Sequence, residues 1–282
     1  MVKYLAKAIK TGYWKPGDDF IKIIIKSLNG YVKDNDIVVL SEKAISTALG
    51  KIVDESKSNP GFTAKIIVLF WIKKVWGYFL GPICHLNKKN IERLRNYPIK
   101  EGLFHKQTTL NYAGLFQSLK HWSEGGIDVS NVPSFFACLP LENPKKIAEK
   151  VFKELKKFFN KHLIVVIVDS DKTFSFRNLH LASRKTQVKG IMNLGLLAYL
   201  IGRIFKLRPR STPLASFGMD HENAEELLQI AAVANKARGS GAGRTIWDVA
   251  ERFGVSFTAI TTEMLEKVEH FPIVIVRKIS AC

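Results

Sequence analysis

The chain of 282 residues is poor in cysteine, and Cys84, Cys138 and Cys282 are widely spaced with no C-x-x-C pair. This excludes a disulfide framework and a cysteine-based zinc site, and leaves buried free thiols as the expectation. A continuous membrane span is also missing, since one takes roughly 20 predominantly apolar residues. "AKIIVLFWIKKVWGYFLGPIC" is cut by Lys73 and Lys74, and "VKGIMNLGLLAYLIGRIF" is free of charge only over residues 190–202. Both read as helices buried in a core or against a second subunit. The Trp71, Trp76, Tyr78 and Phe79 cluster leaves an interfacial membrane contact open for the first. Lys3, Lys7 and Lys10 break the N-terminal apolar pattern, so no signal peptide is expected and a reducing cytoplasm is. There is no internal repeat, no G-x-S-x-G and no H-x-x-x-H, so histidines 85, 105, 121, 162, 180, 221 and 270 read as surface or core residues rather than catalysts.

Acidic residues are in short supply. The 25 Asp plus Glu face 43 Lys plus Arg, a net charge of +18, and the resulting positive potential attracts phosphate-bearing partners: nucleic acid, nucleotides or acidic membranes. The basic residues are scattered. Their richest cluster, "NPKKIAEKVFKELKKFF", reads as a solvated helix face or as an anion site. With 46% apolar and 24% charged residues the chain is a folded one, of a length that suits one large domain or two modest ones.

The pattern predicts a strand over residues 2–9, a turn at Pro16-Gly17, a helix opened by Asp18 and Asp19, and a buried strand from Asp36 to Ser41. Helical spacing follows over 61–80 and about 106–121, joined by a basic segment that Pro98 ends. Asn143 caps a further helix with Pro144 at its first position, which feeds the strand of "HLIVVIVDSDKT". Another helix runs from about Glu222 to Arg238, capped by Asp220 or His221 and closed by Gly239. Two helices over 245–268 and a strand "PIVIVR" complete an α+β or irregular mixed α/β architecture.

Three stretches can carry chemistry. "EGGIDVSNVP" sets Asp128, Ser130 and Asn131 after a glycine pair, and "VVIVDSDKT" sets Asp169 and Asp171 at the end of a buried strand, where open α/β sheets bind ligands. These oxygens suit Mg²⁺ or Mn²⁺ with phosphate, or else simply close two Asx-type turns. "ARGSGAGRT" alternates glycines between Arg238 and Arg244, as an anion nest or a flexible linker; it is not a P-loop, because Arg238 and a helix stand where a Gly and a strand are required. "WDVAERFGVSFTAITTEML" outlines a helix-turn-helix with Ser256 as second cap. Glu263, Glu266 and Glu269 on its reading side oppose DNA, so a structural αα-hairpin is the alternative and nucleic acid is not the expected partner.

"KPGDDF", "DIVVLSEKAIS", "GGIDVSN", "IVVIVDSD", "IAAVAN" with the glycine loop, and "PIVIVR" occur in the order found in coenzyme F420-0:γ-glutamyl ligases, and the chain resembles that family from about Gly12 to Arg277. The resemblance implies a two-lobed α/β fold in an intertwined homodimer. It implies GTP and a divalent metal, Mg²⁺ or Mn²⁺, joining L-glutamate to a phosphorylated cofactor acceptor through an acyl phosphate. By the same resemblance Asp128, Asp169 and Ser170 are metal ligands. Asn131 binds the nucleotide and the loop with Arg238, Gly239, Gly241 and Gly243 lies along its phosphates, with Lys43 as the substitute for a family Lys; Asp171, Lys172 and Arg244 are the candidates for the reaction centre that this chain's own residues add. The sequence also departs from the family: Thr47 replaces a nucleotide-side Lys, Ser240 replaces an acidic residue, Asp171 and Lys172 are extra charges, and residues 65–123 have no counterpart. Residues 61–123 thus read as a helical insertion in a single unit ending in a helical hairpin and strand, 245–282. A catalytically silent nucleotide-binding relative and a DNA-binding protein stand as the other readings.

Overall fold

The computed structural model describes residues 3–122, 124–239 and 241–279, so Cys282 and Ser240 lie outside the described residues. Among the described residues the chain folds into a mixed α/β structure. Its strands are β1 Lys3–Thr11, β2 Ile37–Ser41, β3 Ile52–Asp54, β4 Phe136–Cys138, β5 Ile164–Phe176, β6 Leu179–Ala182, β7 Met192–Asn193, β8 Arg208–Phe217 and β9 His270–Ile279. The helices are α1 Phe20–Leu28, α2 Glu42–Ala48, α3 Phe62–Ile83, α4 Lys88–Arg95, α5 Ile99–Ala113 and α6 Leu115–Ser118 in the first half. They continue with α7 Pro144–Phe159, α8 Leu196–Ile204, α9 Ala224–Arg238, α10 Ile246–Phe253 and α11 Thr262–Glu266.

One sheet runs β1-β9-β2-β5-β6-β7, with β8 also paired to β5, and β3-β4 form a small separate ladder. β2 and β5 are parallel, whereas β9 lies antiparallel to both β1 and β2. The central strands are apolar without a break over residues 37–40 of β2 and 164–168 of β5 because helices cover both faces. Val38, Leu40, Val165 and Ile167 meet Ile24 and Leu28 of α1 and Val151 and Leu155 of α7 on one side. The alternate residues Ile37, Val39, Val166 and Val168 meet Leu227, Leu228, Ala231 and Ala234 of α9 on the other. Helices α3 to α5 form a further cluster around Ile72, Trp76 and Leu94, and α10 and α11 close a fourth around Val249, Ile260 and Leu265.

Local signals were legible at several helix starts. Asp19 caps α1 and Asn143 caps α7 through their side chains, as the sequence predicts. Elsewhere the structure differs. The basic segment before Pro98 is itself helical, as α4, and the helix expected over 106–121 begins at Ile99 and breaks at Gly114, whose φ of 81° no helix accepts. Asn223, not Asp220 or His221, caps α9. Thr261, not Ser256, caps α11, which is five residues long and too short for a reading helix, so the helix-turn-helix outline gives way to a short hairpin.

The strand β8 was not foreseen, because Pro209 and Pro213 argue against a strand interior. Pro213 sits opposite Val168, where the β5–β8 register shifts and no ladder bond is needed. Helix α8 reaches that sheet through Gly202, where a Cβ would stand 2.1 Å from the Phe174 ring. Gly202→Ala is therefore expected to lower the unfolding free energy by about 1–3 kcal/mol through overpacking, read out by denaturant titration.

Candidate active site

The parallel pairing of β2 with β5 sets Ser41 beside Val168, so Glu42 and Lys43, opening α2, emerge next to Asp169. β5 does not end there. It continues to Phe176, and Ser170 and Asp171 are surplus residues: Asp169 pairs with Thr212 and Lys172 with the adjacent Ser211. The acidic strand exit expected from the sequence is thus a bulge inside a long strand, a device that re-aims side chains. Asp171 is buried by it and Ser170 exposed.

A cleft of about 1020 Å³ opens over this bulge, and all twelve residues singled out from the sequence line it: Lys43, Asp128, Asn131, Asp169, Ser170, Asp171, Lys172, Arg238, Gly239, Gly241, Gly243 and Arg244. The sequence order scatters them over three elements and two loops. The glycine loop follows α9, with Gly239 at φ 73° and Gly241 at φ 55°, while Gly243 is required because a Cβ would stand 2.9 Å from the Val249 amide nitrogen.

Beneath the cleft lies Arg184, which sequence reasoning missed. Its Nη1 and Nη2 donate to Glu42 Oε2 and Oε1 at 2.6 and 3.0 Å, and Nη1 also donates to Asp169 Oδ2. All three groups are almost fully buried. Gly126, at φ 97°, makes room for the guanidinium, since a Cβ there would lie 2.3 Å from Arg184 Nη1. The "GG" signal therefore serves Arg184 before it serves Asp128.

Charge distribution in the cleft is uneven. Burial would raise the Asp169 carboxyl, but Arg184 and Lys43 hold it well below the usual range. Asp171 is shifted the other way, raised by burial and by Asp169, and its Oδ2 has no partner among the described residues. Two cations have donor atoms to spare: among the described residues Lys43 Nζ, ion-paired with Glu42 Oε2 at 3.4 Å, and Arg238 Nη2, whose neighbouring Nε donates to the Phe271 carbonyl, are buried without a hydrogen bond of their own. Burial lowers Arg238 to about 10, against the pull of Asp169. Burial opposes the charge on Lys43 too, yet Glu42 and Asp169 keep its pKa above the ordinary value. Burial likewise lowers Lys172.

Asp128 is arranged differently. Its carboxylate accepts from the Ser130 amide at 2.8 Å, from Ser130 Oγ at 2.7 Å and from Asn131 Nδ2 at 3.0 Å, the Asx-type turn that the spacing allowed. Among the described residues no three His, Cys, Asp or Glu side chains converge as a ready metal cage. Mg²⁺ seldom uses such a cage and is usually held by one or two carboxylates plus substrate phosphates. The unpartnered Asp171 Oδ2, with the spare lone pairs of Asp169, fits a cation that arrives with phosphate.

Helix α5 and the segments flanking it form the cleft's other wall. Tyr97 and Trp122 reach it beside Trp247 and Phe257, with successive ring centroids about 6 Å apart. His105 bridges Glu55 at 2.8 Å and Glu124 at 3.5 Å.

The mixed α/β fold thus gathers cations, carboxylates and a glycine loop in one cleft. Residues 8–191 match the F420-0:gamma-glutamyl ligase family, and the chain belongs to it. The chain is 37% identical over 284 residues to "Uncharacterized protein MJ1361" of Methanocaldococcus jannaschii, covering 96% of each. It is 27% identical over 234 residues to the coenzyme F420:L-glutamate ligase of Methanosarcina barkeri, covering 81% of this chain and 77% of that one.

Two outcomes are expected. Arg184→Met should cost about 3–5 kcal/mol, because it leaves Glu42 and Asp169 buried and unpaired, and adding Glu42→Gln should recover part of the loss in chemical denaturation. His105 is pushed up to about 10 by Glu55 and Glu124, against a burial effect that would lower it. A raised folded-state pKa stabilises fully below the unfolded value of about 6.5. That stabilisation fades as pH rises towards 10, so His105→Gln should lose less stability than the wild type across this window.

Proposed function

We propose that the chain is a GTP-dependent ligase that couples the amine of L-glutamate to a carboxyl group on a phosphorylated cofactor acceptor of the coenzyme F420-0 type. The observation that carries this reading is the spare hydrogen-bonding capacity of two cations, Lys43 Nζ and Arg238 Nη2, in the cleft that also holds Asp169 and Asp171. Among the described residues Lys43 has only an ion pair with Glu42 at 3.4 Å and Arg238 only a bond from Nε to the Phe271 carbonyl, and a triphosphate supplies the oxygens that the two buried donor atoms lack.

The chemistry balances as two transfers. An acceptor carboxylate oxygen attacks the γ-phosphorus and GDP leaves, giving an acyl phosphate. The glutamate amine then attacks the acyl carbon, inorganic phosphate departs, and the amine proton passes to solvent. Lys43, Arg238 and the exposed Arg244 bind and neutralise the phosphates, with the glycine loop along them and Asn131 at the nucleotide. Lys172, half-buried at the cleft wall, orients the acceptor carboxylate. Asp128, Asp169, Ser170 and the free oxygen of Asp171 would hold Mg²⁺ or Mn²⁺, whose contribution is to neutralise charge on the transferring phosphoryl group. Asp171 then serves at the cation rather than as a base. Arg184 positions Asp169 from behind.

The family resemblance further implies a two-lobed homodimer. Phe176, Leu179 and Met192, exposed at the β6–β7 edge of the sheet, support a contact between copies. A cytoplasmic location agrees with the substrates proposed.

Isothermal titration with GTP and Mn²⁺ tests the site. Binding to the wild type is expected, weakened at least tenfold in Lys43→Met and in Arg238→Met, whose stems preserve packing; each loses a charge-assisted hydrogen bond worth about 1.5–3 kcal/mol. No binding to the wild type, or unchanged binding in both variants, overturns the reading.

A further inference from the structure

Helix α3, Phe62–Ile83, has 22 residues and is long and apolar enough to cross a membrane, yet only 33% of its most apolar 18 residues are buried. Ile67, Val68, Ile72 and Trp76 anchor its inner face in the cluster with Leu94 and Tyr97. Trp71 and Trp76 both donate from Nε1 to the Leu119 carbonyl, at 2.7 and 2.8 Å. The outer face is bare: Phe62 is 77% exposed, Phe70 59% and Phe79 65%, with Ile66, Leu69 and Tyr78 about half exposed. Phe62, Ile66, Phe70 and Tyr78 fall on a four-residue spacing, and residues 67–80 are wound with the looser π-type turn that keeps such positions in one stripe. An apolar face of this kind marks an interaction surface.

The charge selects the occupant. From residue 56 to residue 91 the sequence holds six lysines and no Asp or Glu, within a chain of net charge +18. Lys65 and Lys74 are exposed among the aromatic residues, and Lys74 lies 5.7 Å from the Tyr78 ring centroid. A second copy meeting this face across a two-fold axis would set lysines against lysines. A spanning helix would have to tear Trp76 and Ile72 out of their cluster. Aromatic and aliphatic side chains interleaved with lysine, on a helix held flat against its own fold, suit the interface of a negatively charged bilayer.

We infer that the outer face of α3 docks the protein on an anionic lipid surface, with Phe62, Phe70 and Phe79 entering the headgroup boundary and Lys65 and Lys74 pairing with lipid phosphates. This inference is independent of the ligase reading and concerns a surface outside the cleft.

Co-sedimentation of the full chain with vesicles tests it, using phosphatidylcholine alone and phosphatidylcholine mixed with phosphatidylglycerol. The chain should pellet with the mixed vesicles, less so at high salt, and weakly or not at all with the neutral ones. Phe70→Ser/Phe79→Ser should abolish pelleting, and Lys65→Gln and Lys74→Gln should each weaken it about fivefold. The lysine variants alter exposed side chains only, so they remain informative if the phenylalanine pair fails to fold, which circular dichroism checks. No pelleting with the mixed vesicles overturns the proposal. So does a wild-type dimer in light scattering that the phenylalanine substitutions split, since the face would then belong to a second copy.

Discussion

The buried guanidinium of Arg184 is the interaction on which the site depends. Removing charges from water is expensive, and Glu42, Asp169 and Arg184 tolerate it only because their hydrogen bonds are mutual. Glu42 opens α2, Asp169 lies on β5, and Arg184 follows β6, so one side chain joins three parts of the chain. Gly126 exists in its left-handed conformation to admit that side chain. Against the effect of burial, Arg184 and Lys43 lower the proton affinity of the carboxylate held in this way, while burial and that same carboxylate raise the proton affinity of Asp171.

From this clamp the cleft follows. The parallel β2–β5 pair delivers Lys43 beside Asp169, and the bulge turns Ser170 outward and Asp171 inward. The glycine loop after α9 then carries Arg238 and Arg244 to the same opening. A protein with a large excess of positive charge here gathers carboxylates and cations in near balance, leaving a few polar atoms unsatisfied. Those atoms, rather than the net charge, are what a ligand would recognise. The large basic excess has its consequence elsewhere, on the outer face of α3, where lysines and aromatic residues share solvent.

Helix starts at Asp19 and Asn143 were legible because a cap is a local hydrogen bond, written within four residues. The central strands were legible because burial on both faces demands unbroken apolar runs. The boundaries near Gly114, Asn223 and Thr261 were less so, since several polar residues in a row can each serve as a cap and packing chooses among them. β8 was hidden by its prolines, which are tolerated where the pairing register slips. Most of the twelve site residues were named through the family pattern, Asp171 and Lys172 as departures from it, and a single cleft contains them. The role of α5 and its flanking segments as its opposite wall was not legible, since aromatic spacing does not say which cavity a side chain faces.

The sequence by itself determined the basic charge, the mixed architecture, the family and the acidic and glycine-rich stretches that line the cleft. Tertiary structure alone decided that Asp169 is clamped while Asp171 is left unsatisfied, two residues apart on one strand. The physical reason is distance along the chain: Glu42 and Arg184 are 142 residues apart, and only the folded sheet brings Glu42 and Asp169 onto the same guanidinium. A bulge of two residues then gives neighbouring aspartates opposite surroundings, which composition and spacing do not contain.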